Sequence, residues 1–160
     1  MQRFWRKFVF GLASHAIVLC VGFGLGVYFL PILTAERSPD SAVLAETAEA
    51  AAFSAALTRE LRGSDLLHWG EGVISVSPTQ IIHQGTLSPG PDYKVYLVPE
   101  FAEDEDEFNA LKDRSVQIGD VKAFDGFILD IPATVDITAY NTVLVWCEAF
   151  GEFITAAQYR

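Results

Sequence analysis

With 160 residues, the chain is long enough for one ordinary domain and short additional segments. Its formal net charge of −10 is unevenly distributed: residues 1–33 carry Arg3, Arg6 and Lys7 and no acid, whereas the remainder carries 8 Lys/Arg against 21 Asp/Glu, a net charge of −13. A domain this acidic is repelled by phosphate, so we expect no nucleic-acid partner.

The first predicted element is a membrane-spanning helix. From Phe8 to Leu33 no residue is charged, and as a helix this stretch is long enough to cross ~30 Å of hydrocarbon. Three basic residues precede it and only Arg37 stands close after it, which predicts a cytoplasmic N-terminus and an extracytoplasmic, periplasmic domain at the plasma membrane. A cleaved signal peptide is the alternative, with Leu33-Thr34-Ala35 as a weak cleavage site. The apolar region of a signal peptide, however, is normally about 7 to 15 residues long, and this stretch is much longer. We therefore assign residues 1–34 to a cytoplasmic tip and an uncleaved anchor.

Residues 35–62 are predicted to form a helical stalk. Ser38 is a good N-cap and Pro39 suits a first helical turn. The alanine-rich run from Ser41 to Arg62 contains no helix breaker until Gly63 provides a C-terminal stop.

Residues 63–160 show a different pattern, in which short apolar runs are bounded by turn residues. Runs at this spacing are typical of strands in an all-β domain, an antiparallel β-sandwich or a barrel. The acidic run Glu103–Glu107 looks like a loop leading into a helical turn, and because it lacks the ligand pattern of an EF-hand we expect a solvated face rather than a Ca²⁺ site. Phe150–Tyr159 can close the sheet as a last strand. The six predicted strands are Gly72–Val76, Gln80–Gln84, Tyr93–Leu97, Val116–Lys122, Gly126–Ile131 and Thr142–Cys147.

Cys147 is the candidate redox residue of this domain. The chain has two cysteines, and because Cys20 lies in the predicted anchor, the domain has one thiol and cannot form an internal disulfide. A thiolate can be oxidised, form a mixed disulfide or ligate a metal. Strand alternation, however, places Cys147 on the same face as Val143 and Val145, so an inert core thiol is the structural alternative. No basic residue neighbours it in the sequence, and Glu148 is expected to raise its pKa.

Other candidate side chains are the histidines and tryptophans of the domain. His68 and His83 could join Cys147 as ligands of zinc, copper or haem iron, but their spacing matches no metal-binding motif, and the pattern assigns no orienting carboxylate to either histidine. We predict no metal site, because the spacing of these residues supports neither haem nor metal binding. The identity of any cofactor stays open. Trp69 and Trp146 are expected to fill the core between two sheets rather than form an electron-relay surface.

Several short motifs occur in a characteristic order along the domain. They are Gly70-Glu71-Gly72, Gly90-Pro91-Asp92-Tyr93-Lys94-Val95-Tyr96-Leu97, Ile118-Gly119-Asp120-Val121-Lys122 with Gly126, Ile131 and Pro132 after it, and Tyr140-Asn141-Thr142-Val143-Leu144-Val145-Trp146-Cys147-Glu148-Ala149-Phe150. In this order they resemble the electron-transfer DM-thirteen domain, a small extracytoplasmic β module, over about Leu61 to Tyr159.

The resemblance implies a β-sandwich-like fold and a redox or electron-transfer role, in which the cysteine matching Cys147 is the active group. We do not expect a cytochrome-like or haem-binding domain within this chain, so an electron path would need a separate redox or membrane-protein partner.

The sequence therefore predicts a membrane-anchored extracytoplasmic redox or electron-transfer accessory. The alternative is a non-catalytic protein- or ligand-binding β-module tethered to the membrane. Motifs of hydrolases and phosphate-binding loops are missing from the sequence, so a classical enzyme is not expected.

Overall fold

The computed structural model describes residues 2–160. Helix α1, Gln2–Thr34, forms the N-terminal element, and none of its residues is buried. By its length and apolar composition, α1 can cross a membrane. The predicted helix is thus present; it begins more than one turn before Phe8, the first residue of the uncharged stretch, and ends one residue after Leu33.

The predicted stalk helix is wrong beyond its first turns. Helix α2 covers only Ser41–Ala48, and Phe53–Leu57 form strand β1 instead of continuing the helix to Arg62. In β1 covered residues alternate with exposed ones, and the strand pairs antiparallel with the next strand, from Phe53 opposite Val76 to Leu57 opposite Gly72. This pairing buries Leu57 and outweighs the helix propensity of the alanines, which is a weak preference of under about 1 kcal/mol per residue.

The domain consists of two four-stranded antiparallel sheets, which confirms the predicted β-sandwich. The strands after β1 are β2 (Gly70–Val76), β3 (Gln80–Leu87), β4 (Tyr93–Val98), β5 (Val116–Asp120), β6 (Phe127–Asp130), β7 (Thr142–Cys147) and β8 (Glu152–Gln158). The first sheet has the strand order β1-β2-β3-β6 and the second β5-β4-β7-β8. All six predicted strands are present, and the stretch near the C-terminus forms β8.

Helix α2 packs against the first sheet and is no free-standing stalk. Its Leu44 is buried, and the helix contacts β3. Ile81 of β3 points into the core, so strand alternation places Ile82 on the outer face of the sheet. Ile82 is nevertheless buried. Helix α2 therefore covers the β3 part of the outer face of the first sheet, whereas Val73 of β2 stays exposed on that face.

The main core lies between the two sheets. Ile74 of β2 and Ile81 of β3 meet Val95 of β4 and other apolar residues of the second sheet. At one end of this core the Phe53 ring of β1 lies 5.5 Å from the Tyr159 ring, measured between centroids. The first and last parts of the domain therefore pack against each other.

Helix α3, Glu105–Leu111, adds a third layer on the outer face of the second sheet. Phe108 of α3 is fully buried, with its ring centroid 4.9 Å from that of Trp146 and 5.1 Å from that of Tyr96. Since Val143 and Val145 face the main core while Leu144 and Trp146 face α3, strand β7 is buried on both sides.

The acidic run before α3 is more than a solvated face. The Asp104 carboxylate caps the helix by accepting from the Glu107 amide at 2.9 Å. Arg62 lies 2.9 Å from the Glu103 carboxylate and 3.1 Å from that of Asp104, and it also pairs with Glu107. One arginine thus pairs with three of the five carboxylates of the run, across about 40 residues of sequence, which local spacing does not reveal.

We predict that Phe108→Ala lowers the free energy of unfolding by about 3–5 kcal/mol, because it leaves a cavity under α3. Phe101→Ala is the matched control: Phe101 precedes α3, is 38% exposed, and its truncation should cost clearly less, about 1 kcal/mol. Urea unfolding of the full chain in detergent micelles measures both. Equal effects of the two substitutions would show that α3 is not part of a cooperative core.

Candidate functional site

Cys147 lies at the end of β7, close to the turn that leads into β8. Its side chain is 2% exposed and shares the core face with Val143 and Val145, as strand alternation predicts. The thiol donates a hydrogen bond to the carbonyl oxygen of Pro91, with a distance of 3.0 Å from Sγ to that oxygen. The candidate thiol is therefore buried and held in one orientation.

Burial raises the pKa of the Cys147 thiol, because the thiolate loses its hydration. Two backbone amides oppose this effect: those of Phe150 and Ala149 donate towards the sulfur and lower the pKa. The nearby carboxylates of Asp92 and Glu152 raise it again. The sum is a raised pKa, so the resting group at neutral pH is the thiol.

Glu148 does not act on Cys147 as the sequence suggests, since its side chain belongs to a different cluster. The Glu148 carboxylate lies 2.8 Å from the Lys112 ammonium and accepts a hydrogen bond from the Tyr96 hydroxyl. Lys112 Nζ in turn lies 5.2 Å from the centroid of the Trp146 ring. These contacts join residues 36 and 52 positions apart in the chain, so no local pattern predicts them.

A cavity of about 170 Å³ separates the Cys147 end of the domain from α1; we call it the Cys147 cavity. On the domain side its wall includes Cys147 and Tyr93, and burial raises the pKa of the Tyr93 phenol to about 12. On the helix side the wall consists of apolar residues and Tyr28. The remaining lining residues are Gly24, Val27, Leu67, His68, Pro89, Gly90, Pro91 and Phe150.

His68 lies in the wall of the Cys147 cavity, and it does have an orienting carboxylate. Its Nδ1 is 3.1 Å from Oδ2 of Asp65, three residues earlier in the chain. The other oxygen of Asp65 accepts from the amides of Leu67 and His68 at 2.6 and 2.8 Å, which fixes the loop. The expectation of no orienting carboxylate is wrong, and the Asp-x-x-His spacing was the signal that local sequence reasoning overlooked.

His83 lies elsewhere, inside the sandwich on β3. Its Nε2 donates to the Glu71 carbonyl at 3.1 Å, and its Nδ1 has no hydrogen-bond partner among the described residues. Burial lowers the pKa of His83, because the imidazolium would lose its hydration. His83 does not line the Cys147 cavity, and within residues 2–160 no three His, Cys, Asp or Glu side chains come together to hold a metal.

The two tryptophans occupy different environments. Trp146 is buried, but it fills the layer between the second sheet and α3 rather than the space between the sheets. Trp69 is only partly buried, with the Arg59 guanidinium carbon 3.3 Å from its ring centroid. Arg59 also pairs with the Glu71 carboxylate at 2.8 Å. The predicted core position of Trp69 is therefore wrong.

These features define a class of protein: a small β-sandwich domain behind an apolar N-terminal helix, with one buried thiol at the end nearest that helix. Residues 61–159, more than half of the chain, match the family model described as electron transfer DM13. The chain belongs to this family, and the matched residues confirm the resemblance found over Leu61 to Tyr159. Strand β1 and helix α2 precede the matched segment. Comparison with curated proteins and with solved structures gives no match.

We predict that His83 makes stability dependent on pH. In the unfolded chain a histidine binds its proton near pH 6.5, whereas the lowered pKa keeps His83 neutral in the fold. The unfolded state then binds more protons, so stability rises with pH in this range and falls as the pH drops below about 6.5.

His83→Gln keeps a donor for the Glu71 carbonyl and should flatten the dependence of the melting temperature on pH between about pH 5 and 7. His68→Gln is the control, because the His68 side chain is partly exposed and lies outside the core. Thermal melts of the full chain in micelles measure the slope. An unchanged slope in His83→Gln would contradict the assignment.

Proposed function

We propose that this chain is a membrane-anchored extracytoplasmic electron-transfer accessory in which Cys147 is the redox group. The observation that carries the proposal is the position of Cys147: the one thiol of an electron transfer DM13 domain lines the cavity next to the anchor helix. In this proposal α1 crosses the membrane with its three basic residues in the cytoplasm, so that the domain works on the outer side.

The backbone amides of Phe150 and Ala149 favour a redox role for this thiol, because they oppose the effect of burial on its pKa. The net pKa of Cys147 is raised, but these amides favour the thiolate, which is the nucleophilic form. His68 lies in the wall of the same cavity, with its ring held by Asp65. The cavity thus combines a thiol with amide donors and an oriented imidazole.

A single thiol limits the chemistry to exchange with an outside partner. After losing its proton, the Cys147 sulfur attacks a partner's disulfide, one new S–S bond forms, and the partner's other sulfur leaves as a thiolate. A dithiol from outside the domain then attacks the Cys147 sulfur of the mixed disulfide, and the partner's first sulfur leaves as a thiolate. The second thiol of the dithiol displaces Cys147 from the new mixed disulfide, which closes the dithiol into a disulfide and returns Cys147 to its reduced form. Two electrons pass in this way from the dithiol to the first partner, which requires a separate redox protein.

The second candidate function is a non-catalytic protein- or ligand-binding β-module. It is favoured by the burial of Cys147, by the raised pKa and by the hydrogen bond to Pro91, which together describe a packing residue. In that case the surface of the membrane-tethered domain binds the protein or ligand, and the thiol only contributes to packing.

The test is mixed-disulfide formation in the folded, full-length chain. A Cys20→Ala variant leaves Cys147 as the only thiol, and incubation with oxidised glutathione in micelles is followed by intact mass. We expect one glutathione per folded chain, removed by a dithiol reductant, with a rate that rises with pH because the thiolate is the reactive form.

Two variants bracket this experiment. Cys20→Ala/Cys147→Ser should take up no glutathione, and the same variant with Phe101→Cys provides an exposed reference thiol far from the cavity. A Cys147 that reacts only after unfolding in guanidinium, while the reference thiol reacts in the folded chain, would overturn the redox proposal in favour of the binding module.

A further inference from the structure

We propose that the end of the domain carrying Leu66, Leu67 and Phe150 lies in the outer boundary of the lipid bilayer, with lipid as the occupant of this apolar surface. The inference rests on α1 being the membrane anchor of the proposed function. It goes further because it gives the domain itself a second, lipid-binding contact and a fixed orientation on the membrane.

The three side chains are unusually exposed for their type. Leu66 is 94% exposed and Phe150 is 55% exposed, and Leu67 of the same loop is also exposed. Leu67 and Phe150 both line the Cys147 cavity, so the two loops lie at the same end of the sandwich. An exposed apolar cluster on an acidic domain marks an interaction site rather than chance surface composition.

The depth of Leu67 and Phe150 in the bilayer follows from the part of α1 that they face. Leu67 and Phe150 share the Cys147 cavity with Gly24, Val27 and Tyr28. At 1.5 Å per residue, about 20 residues cross the ~30 Å hydrocarbon layer. Counted from Phe8, which follows the basic residues, this layer ends near Val27, and Tyr28 falls at the interface where tyrosine is enriched.

Leu67 and Phe150 are therefore level with the last turn of α1 within hydrocarbon. A water-exposed position for them would require the domain to lift away from the helix. That motion would break the contact of Glu36, whose amide donates to the Lys122 carbonyl at 2.8 Å directly after α1. The short connection holds the domain close to the membrane.

The polar groups near this end are suited to a low-dielectric boundary. The segment Pro89-Gly90-Pro91 carries no charge and lines the same cavity. The Asp92 carboxylate lies 2.7 Å from the ammonium of Lys94, which is mostly buried. Asp65 accepts hydrogen bonds from two backbone amides of its own loop. Paired and hydrogen-bonded carboxylates lose less on leaving water than free ones do.

Lipid depth is measured with nitroxide spin labels on the full chain in phosphatidylcholine nanodiscs. Leu66→Cys and Phe150→Cys, each in a Cys20→Ala/Cys147→Ala background, report the two loops. Phe101→Cys in the same background is the matched control at the opposite end of β4, and native Cys20 in a Cys147→Ala chain reports the middle of α1. The quantity is the ratio of accessibility to oxygen over accessibility to a polar nickel chelate.

We expect this ratio to be several-fold higher at positions 66 and 150 than at position 101, and highest at Cys20. Water-like ratios at 66 and 150 together with a lipid-like ratio at Cys20 would overturn the inference and leave the anchor intact. A water-like ratio at Cys20 would instead refute the anchor itself. Low access to both reagents at 66 and 150 would show that protein covers the surface, which also contradicts lipid as its occupant.

A second measurement avoids replacing either cysteine. Leu66→Trp and Phe101→Trp are compared in nanodiscs with and without brominated phosphatidylcholine, after subtraction of the fluorescence of the parent chain. The added indole at 66 should be quenched and the one at 101 should not. Equal quenching at both positions would contradict the inference even if a cysteine-free variant folds poorly.

Discussion

The fold depends on strand β7, whose side chains are all buried. Val143, Val145 and Cys147 complete the core between the sheets, while Leu144 and Trp146 support the layer under α3. A strand between two apolar layers has no face in contact with water, and it must be paired on both edges because its backbone groups cannot reach water. Strands β4 and β8 provide this pairing. The position of the thiol is a consequence of the same constraint, since it is the last residue of this strand.

Local periodicity was enough to predict most of the domain. The six apolar runs and the Phe150–Tyr159 stretch were recognisable because strands alternate and turns contain glycine and proline. Strand β1 was missed because its alanines fit a helix equally well, and only pairing with β2 decides between the two. The site was harder to predict. Strand alternation correctly predicted that Cys147 faces the core. The contacts of Glu148 and of Arg62 join distant parts of the chain, so no local spacing encodes them.

Burial of Cys147 limits both the reactivity of its thiol and the access of reagents to the sulfur. The same packing that raises the pKa of the thiol also places it beside α1 rather than on a water-facing surface. A thiol in this setting is protected from unspecific oxidation, because the thiolate is scarce and large reagents cannot approach. In the proposed redox role, a partner would have to reach the thiol through the cavity between the domain and α1. Selectivity would then come from geometry rather than from a permanently activated sulfur.

The contact between Phe53 and Tyr159 bears on how the domain reaches its native state. Strand β1 lies at the edge of one sheet and Tyr159 follows the edge strand β8 of the other, so the sandwich closes by joining segments about a hundred residues apart. Such long-range closure is slow, because the loop entropy is lost before the contacts form. During synthesis, the core-facing side chains of the early strands therefore stay uncovered until the strands of the second sheet have emerged. The yield of folded protein then depends on how well this apolar face avoids aggregation in that interval.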